Sequence, residues 1–379
     1  MVQPAPLIEV SGTPHARGVS YGSQAAERVR RGVGHYTAQL RKLDLDAGTV
    51  DQLVTEYLPI IEAFDPTYIE EMRGIAEGAG VAFADVALLN ARTEILKLAA
   101  RPDLRAQLMQ REGPDGCTGL VALPQATGNG EVIHAQNWDW KAECAEAAVV
   151  LRIRREDGPD ILTFTEAGGL ARSGFNASGI GITANYLESD RDYAQAGVPL
   201  ALIRRKVLEQ AHVAQAMRAV YCTAKSGSNN MIVSHCDGVA IDFECAPDET
   251  FQVHAEHGLI VHANHWQSPI ALSKLRDTGI MNTPDSLYRD LRVRTLLTAQ
   301  LGAITTDAVK AALFDDFAAP WSVCRPPRIS SANNLSATVA MIVMRPGAGE
   351  MEVAMLPAQN RSFTTYTLIL ESSARQAAE

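Results

Sequence analysis

Helical and strand-like segments come in separate blocks along this chain, and that ordering constrains the fold more than any single motif. Residues 20–43, 49–64, 65–80 and 83–100 have helix-friendly residues or apolar side chains at helical spacing. Thr49 and Asp65-Pro66-Thr67 are start signals, and Gly80 is a stop. A polar loop follows, and at Cys117 the pattern changes. Short β-rich runs separated by turn residues occupy 117–124, 131–140, 147–156 and 161–168, followed by the Gly-rich 171–187. Asp157-Gly158-Pro159 reads as the turn of a hairpin. Helical patterns return at 198–222, strands at 230–266, helices at 285–301 and 305–314, and strands from 337 to the C-terminal region. Parallel strands need a crossover after each one, so strands in runs predict antiparallel pairing. Two such sheets, stacked and covered by helices, make an α+β fold of four layers, αββα. No long linker divides the chain and no internal repeat is visible.

A length of 379 residues is within the range of one large core. The balance of 34 basic and 44 acidic residues gives a net charge of −10, with no Lys/Arg cluster interleaved with aromatics. That argues against a nucleic-acid groove. The N-terminus lacks a charged segment followed by an apolar one, and no apolar stretch nears the roughly 20 residues that span a bilayer. The expected compartment is the cytoplasm. Six cysteines without a CxxC pair predict mostly reduced, buried thiols rather than a disulfide framework.

Cys117 stands where the helical block gives way to strands, within Gly113-Pro-Asp-Gly-Cys-Thr-Gly-Leu120. One reading is a small buried residue at a strand start. The other is chemical. Gly116 leaves the preceding peptide open to attack and permits unusual backbone angles. A thiol there can attack the Gly116 carbonyl, and hydrolysis of the thioester leaves Cys117 as a new N-terminus. Its α-amine, with an ordinary pKa of about 7.7–8.0, then serves as the base for its own thiol. A turn at Gly128-Asn-Gly130 would pair the 117 and 136–140 runs and bring Asp139 back to Cys117, to orient the amine; the alternative is a cap or turn aspartate. Trp138 and Trp140 are core candidates, one of which could wall a pocket. Asn264, in an otherwise apolar strand, needs partners; its NH2 suits an oxyanion, or the residue belongs to a structural network. His254, His257, His262 and His265 suggest zinc by count, but strand alternation sends them to different faces.

These motifs resemble the acyl-coenzyme A:6-aminopenicillanic acid acyltransferase family of autoproteolytic N-terminal-nucleophile (Ntn) hydrolases. The resemblance runs through GTPHARGVSYG, RGIAEGAGV, LNARTEIL, DGCTGL, AQNWDW, GFNASGIGIT, SNNMIV, ANHW and SVCRPP. It implies an αββα fold and scission of the Gly116–Cys117 bond, giving an α chain, 1–116, packed on the same core as a β chain, 117–379. It assigns Cys117 as nucleophile and Asp139 and Asn264 as catalytic partners. Trp140 and Arg325 would contact substrate, with Arg92 and Glu94 a buried ion pair. The Pro-Pro after Arg325 departs from the family's usual His-Pro. The implied reaction is hydrolysis or transfer of the acyl group of a small N-acyl amine through a Cys117 thioester, with acyl-CoA a donor in the transferase version. It needs no metal or organic cofactor. A homo-oligomer is left open. Two rivals remain: an unprocessed thiol hydrolase with His134 or His265 as base, and a non-catalytic small-molecule-binding scaffold.

Overall fold

The computed structural model describes residues 2–42, 47–99, 116–329 and 335–371. Of the polar loop expected over 101–116, only Gly116 is among these. Among the described residues the first part holds α1 (Pro14–Gln24), α2 (Ala26–Lys42), α3 (Ala47–Phe64), α4 (Pro66–Ala79) and α5 (Phe83–Ala99). Asp65 caps α4 by accepting from the Thr67 N–H at 3.0 Å, and Gly80 ends it in the left-handed region. The single helix expected over 20–43 is instead two helices that meet at Ala25, and the first begins earlier, at Pro14 behind the cap Thr13. Glycines of GTPHARGVSYG and RGIAEGAGV let α1 and α4 touch backbone to backbone. A Cβ on Gly18 would lie 2.2 Å from the Glu71 carbonyl oxygen, and one on Gly74 would lie 2.3 Å from that of His15.

The strands build two sheets. The first contains β1 (Leu7–Val10), β4 (Ala148–Ile153), β5 (Ile161–Glu166), β6 (Ser173–Asn176), β7 (Ile180–Tyr186), β8 (Asn229–His235), β9 (Val239–Cys245) and β10 (Thr250–His254), in that spatial order. The second runs β11 (Leu259–His262), β2 (Gly116–Ala122), β3 (Ile133–Lys141), β13 (Leu335–Arg345), β14 (Glu350–Met355) and β15 (Thr364–Thr367), with β12 (Arg328–Ile329) also on β13. All pairings between these strands are antiparallel except β1 with β4. That parallel edge was not foreseen; the crossover that a parallel pair requires runs through α1–α5 and then through β2 and β3 of the second sheet.

Period-two alternation sorts the strands into layers. Val149, Leu151 and Ile153 of β4 join a core with α1–α5, α6 (Leu200–Leu208) and α7 (Val213–Tyr221). Val150, between them, faces the opposite way and packs with Phe164, Trp138 and Ile342 between the sheets. On the far side of the second sheet, Leu120, Ala135 and Val343 pack against α9 (Asp285–Thr298) and α10 (Thr306–Leu313); the short α8 is Pro269–Leu272. The order is helices, sheet, sheet, helices: the expected αββα sandwich. Among the described residues no helix is long and apolar enough to cross a membrane.

Candidate active site

Gly116 and Cys117 open strand β2, and β3 returns antiparallel beside them. The register puts Asp139 opposite Gly116 and Trp138 opposite Cys117. Neighbours along a strand face opposite sides, so the site has two faces. The Cys117 side chain and Trp138 belong to the buried layer between the sheets. Asp139 lies on the other face, with Arg325 and the α9 charges.

On that outer face four buried charges alternate in sign. The Thr338 hydroxyl donates to Asp139 Oδ1 at 2.6 Å. Arg325 Nε stands 3.3 Å from Asp139 Oδ2, and its Nη2 pairs with Asp285. Asp285 also accepts from Arg289 Nε at 2.8 Å. Arg289 then donates to the Cys117 carbonyl at 2.7 Å, to Thr118 Oγ1 at 2.9 Å and to Asn264 Oδ1 at 2.9 Å. Burial pushes the Asp139 carboxyl up against the pull of Arg325 and Arg289. Burial acts the same way on Asp285, but Arg289 and Arg325 hold it below the ordinary carboxylate value. Among the described residues neither Asp139 Oδ2 nor Arg325 Nε makes a hydrogen bond, so their attraction is Coulombic and Oδ2 can still accept one.

Gly116 is also a point of close approach: a Cβ on it would lie 2.6 Å from Arg325 Nη1 and 2.9 Å from Asp139 Oδ2.

Asn264 lies just past the end of β11 rather than inside a strand. Its Oδ1 accepts from the Cys117 N–H at 2.8 Å as well as from Arg289, and its Nδ2 donates to the Tyr186 carbonyl at 2.9 Å. The asparagine thus presents its carbonyl, not its NH2, to the nucleophile's nitrogen.

The thiol face meets a third arginine. Arg172 Nη2 is 3.9 Å from Cys117 Sγ, and its guanidinium lies 4.2 Å over the Trp138 ring. Arg172 also lines a cavity partly open to solvent, with Arg92, Glu94, Glu166, Tyr186 and Arg204. Arg325 is on the opposite face from this cavity. Trp140 is buried behind it: its Nε1 donates to Tyr36 Oη at 3.2 Å, and Arg92 covers its ring at 5.0 Å. Arg92 and Glu94 take separate partners. Arg92 pairs with Glu166, and Glu94 accepts from the Leu200 N–H at 2.9 Å. Residues two apart on a helix do not face each other, and Ala91, just before the pair, breaks helical geometry.

The two histidines weighed as a base are held by hydroxyls. His134 sits between the Ser234 and Thr183 hydroxyls, each at 2.8 Å, with burial pushing it down to about 3. His265 is bound to Ser286 Oγ at 2.8 Å and lowered to about 4, first by burial and then by the nearby His262. Among the described residues the four histidines of 254–265 do not gather as metal ligands; His254 and His257 are exposed and His262 is buried.

Sequence reasoning missed Arg172, Asp285, Arg289 and Thr338. Asp285 and Arg289 carry a legible i,i+4 spacing, but such pairs are usually solvated.

The profile of the family described as "Acyl-coenzyme A:6-aminopenicillanic acid acyl-transferase" matches residues 126–356. The chain is 28% identical over 321 residues to the acyl-coenzyme A:6-aminopenicillanic-acid-acyltransferase 40 kDa form of Emericella nidulans, covering 84% of each. Among solved structures, a mutant conjugated bile acid hydrolase from Clostridium perfringens gives a TM-score of 0.48 at 14% identity, over 66% of this chain and 92% of that one. Penicillin V acylase from Agrobacterium tumefaciens gives 0.47 at 15%, over 68% and 89%. A Caenorhabditis elegans ortholog of N-acylethanolamine-hydrolyzing acid amidase gives 0.44 at 16%, over 66% and 100%.

Proposed function

The chain belongs to the acyl-coenzyme A:6-aminopenicillanic acid acyltransferase family of Ntn acyltransferases and amidases, and from that premise we propose a cysteine enzyme that first cuts its own Gly116–Cys117 bond. The observation that carries this reading is the open acceptor at Asp139 Oδ2. Among the described residues this buried carboxylate oxygen has no hydrogen-bond donor, and it stands close to Gly116, whose bond to Cys117 would on scission leave an amine on Cys117.

In the first reaction the Cys117 thiol gives its proton to water and Sγ attacks the Gly116 carbonyl carbon. The C–N bond breaks, the nitrogen takes up a proton, and a thioester remains. Water hydrolyses it to the Gly116 carboxylate and the free thiol. Asn264 Oδ1, already on the Cys117 nitrogen, stays with it as it becomes an amine, and Asp139 accepts from its ammonium form.

In the second reaction the neutral amine takes the thiol proton and the thiolate attacks the carbonyl of an N-acyl amine held in the cavity beside Arg172. The ammonium returns that proton to the leaving amine. Water resolves the thioester in hydrolysis; a second amine resolves it in transfer, with acyl-CoA as an alternative acyl donor. Arg172 stabilises the thiolate electrostatically. Chains 1–116 and 117–379 stay together after the cut. Strand β1 is part of the first sheet, and Glu71 of α4 is clamped by the buried Arg205 of α6, with Nη2 to Oε2 at 3.1 Å.

The test is the intact mass of the denatured protein, followed by amide turnover on the same sample. Two species summing to the chain plus one water, the larger beginning at Cys117, are expected together with turnover. A single full-length mass from a chain that turns over amides points to the unprocessed hydrolase. A single mass without turnover points to the scaffold.

A further inference from the structure

A second buried polar cluster lies on the other side of Asn264, and the reactions above make no use of it. Asp242 and Glu244 are two apart on β9 and so share a face. The register sets Asn185 of β7 opposite Asn230 of β8, and Asn230 opposite Glu244. These side chains make a polar row across the first sheet, all of it buried.

The row closes on the segment 262–268. Glu244 Oε1 accepts from the Gln267 N–H at 2.6 Å and meets His262 Nε2 at 2.7 Å, while Oε2 accepts from the Ser268 N–H at 3.0 Å. Asn185 Nδ2 donates to the carbonyls of His262 at 2.8 Å and Ala263 at 3.0 Å. Asn230 Nδ2 donates to both oxygens of Asp242, and Asp242 Oδ2 stands 3.8 Å from His262 Nε2. The other ring nitrogen, Nδ1, faces the Ala263 carbonyl at 3.0 Å. With acceptors at both nitrogens the ring is an imidazolium. One end of the segment is therefore fastened by Asn185 and His262, the other by Glu244. Between them Asn264 holds the Cys117 nitrogen.

We infer that Glu244 and Asn185 are positioning residues: they fix the 262–268 segment so that Asn264 Oδ1 stays on the Cys117 nitrogen through both reactions. The inference rests on Cys117 being the nucleophile, and neither residue touches a reacting atom. In Glu244→Gln the shape is kept, but one acceptor becomes an NH2 facing a donor and the charge opposite His262 is lost.

Amide hydrogen exchange at residue 117, measured in a Cys117→Ala background, reads the hold directly and needs no activity. Adding Glu244→Gln should speed that exchange at least ~10-fold and leave the β14 amides unchanged, since a displaced asparagine no longer protects the N–H. In the chain that keeps Cys117, Glu244→Gln should slow both Gly116–Cys117 scission and kcat by about 10²-fold, the scale of a 1 Å misplacement. KM should change little, because substrate contacts are intact. Unchanged protection at 117 overturns the inference whatever the turnover. So does a fall in β14 protection equal to that at 117, which marks general loosening. Loss of protection at 117 alone supports the positioning, and if the parent chain neither cuts itself nor turns over amide, the reading of Cys117 falls instead. If Glu244→Gln does not fold, Asn185→Asp decides on the same readouts. It keeps the acceptor for the Gln136 side chain but removes the donor to the His262 and Ala263 carbonyls.

Discussion

The Asp139–Arg325–Asp285–Arg289 chain and the Asp242–Glu244–His262 cluster flank the same asparagine from opposite sides. Both are buried, and both set acids against bases. The first ends on the peptide proposed to react: Arg289 reaches the Cys117 carbonyl, Arg325 and Asp139 lie close to Gly116, and among the described residues one carboxylate oxygen has no hydrogen bond. In the second, Glu244 meets the imidazolium and two backbone N–H groups, and Asp242 meets Asn230. A network with an open acceptor can take a new ligand, whereas a saturated one can only hold its neighbours in place. The contrast separates groups that act from groups that position.

The sharpest way to break it is Cys117→Ala. Scission and amide turnover should both disappear, by intact mass and by assay; an uncut variant that still turned over amide would remove the first network's special status. Next comes Arg325→Met, which leaves Asp139 and Asp285 buried with less compensation. Denaturant unfolding should show a loss of about 3–5 kcal/mol, the cost of breaking a buried ion pair; a loss under ~1 kcal/mol, the scale of a solvated surface pair, would mean that water screens the chain of charges.

Gly116→Ala should cost about 1–3 kcal/mol by overpacking and slow scission, because Arg325 and Asp139 must move away. Wild-type scission in that variant would show the close approach to be dispensable. The smallest effect is one of pH on the second network. Burial opposes the charged form of His262, but Asp242 and Glu244 raise it to about 9. Its contribution to stability is therefore complete below the unfolded value of about 6.5 and is lost as pH rises through 9. Asp242, raised to about 6 chiefly by burial, works in the same direction at lower pH. Urea unfolding from pH 6.5 to 9.5 should show falling stability in the native chain and a flatter profile in His262→Gln. Parallel profiles would place the imidazolium elsewhere.

Much of the frame could be read along the chain. The blocks of strands predicted the antiparallel sheets, the turn at 128–130 predicted the β2–β3 pairing, and that pairing brought Asp139 to the Gly116–Cys117 bond. β1 escaped notice because four residues with two buried side chains carry little periodic signal. Arg289 escaped because Asp285-x-x-x-Arg289 looks the same on a solvated helix as on a buried one. The partner of Arg92 escaped because Glu166 is distant in sequence, whereas Glu94 is near.

The sequence by itself determined the layer order, the strand that carries Cys117 and the carboxylate opposite its preceding glycine. These follow from local periodicity and from a short hairpin, where spacing along the chain equals spacing in space. Only the tertiary structure decided which way the Asn264 amide points, which face of β2 meets Arg172 and which arginines close on the cysteine. Those depend on side chains from β7, β9, α9 and the segment before β6 converging on one point, and burial gives their charges a strength that no pattern along the chain records.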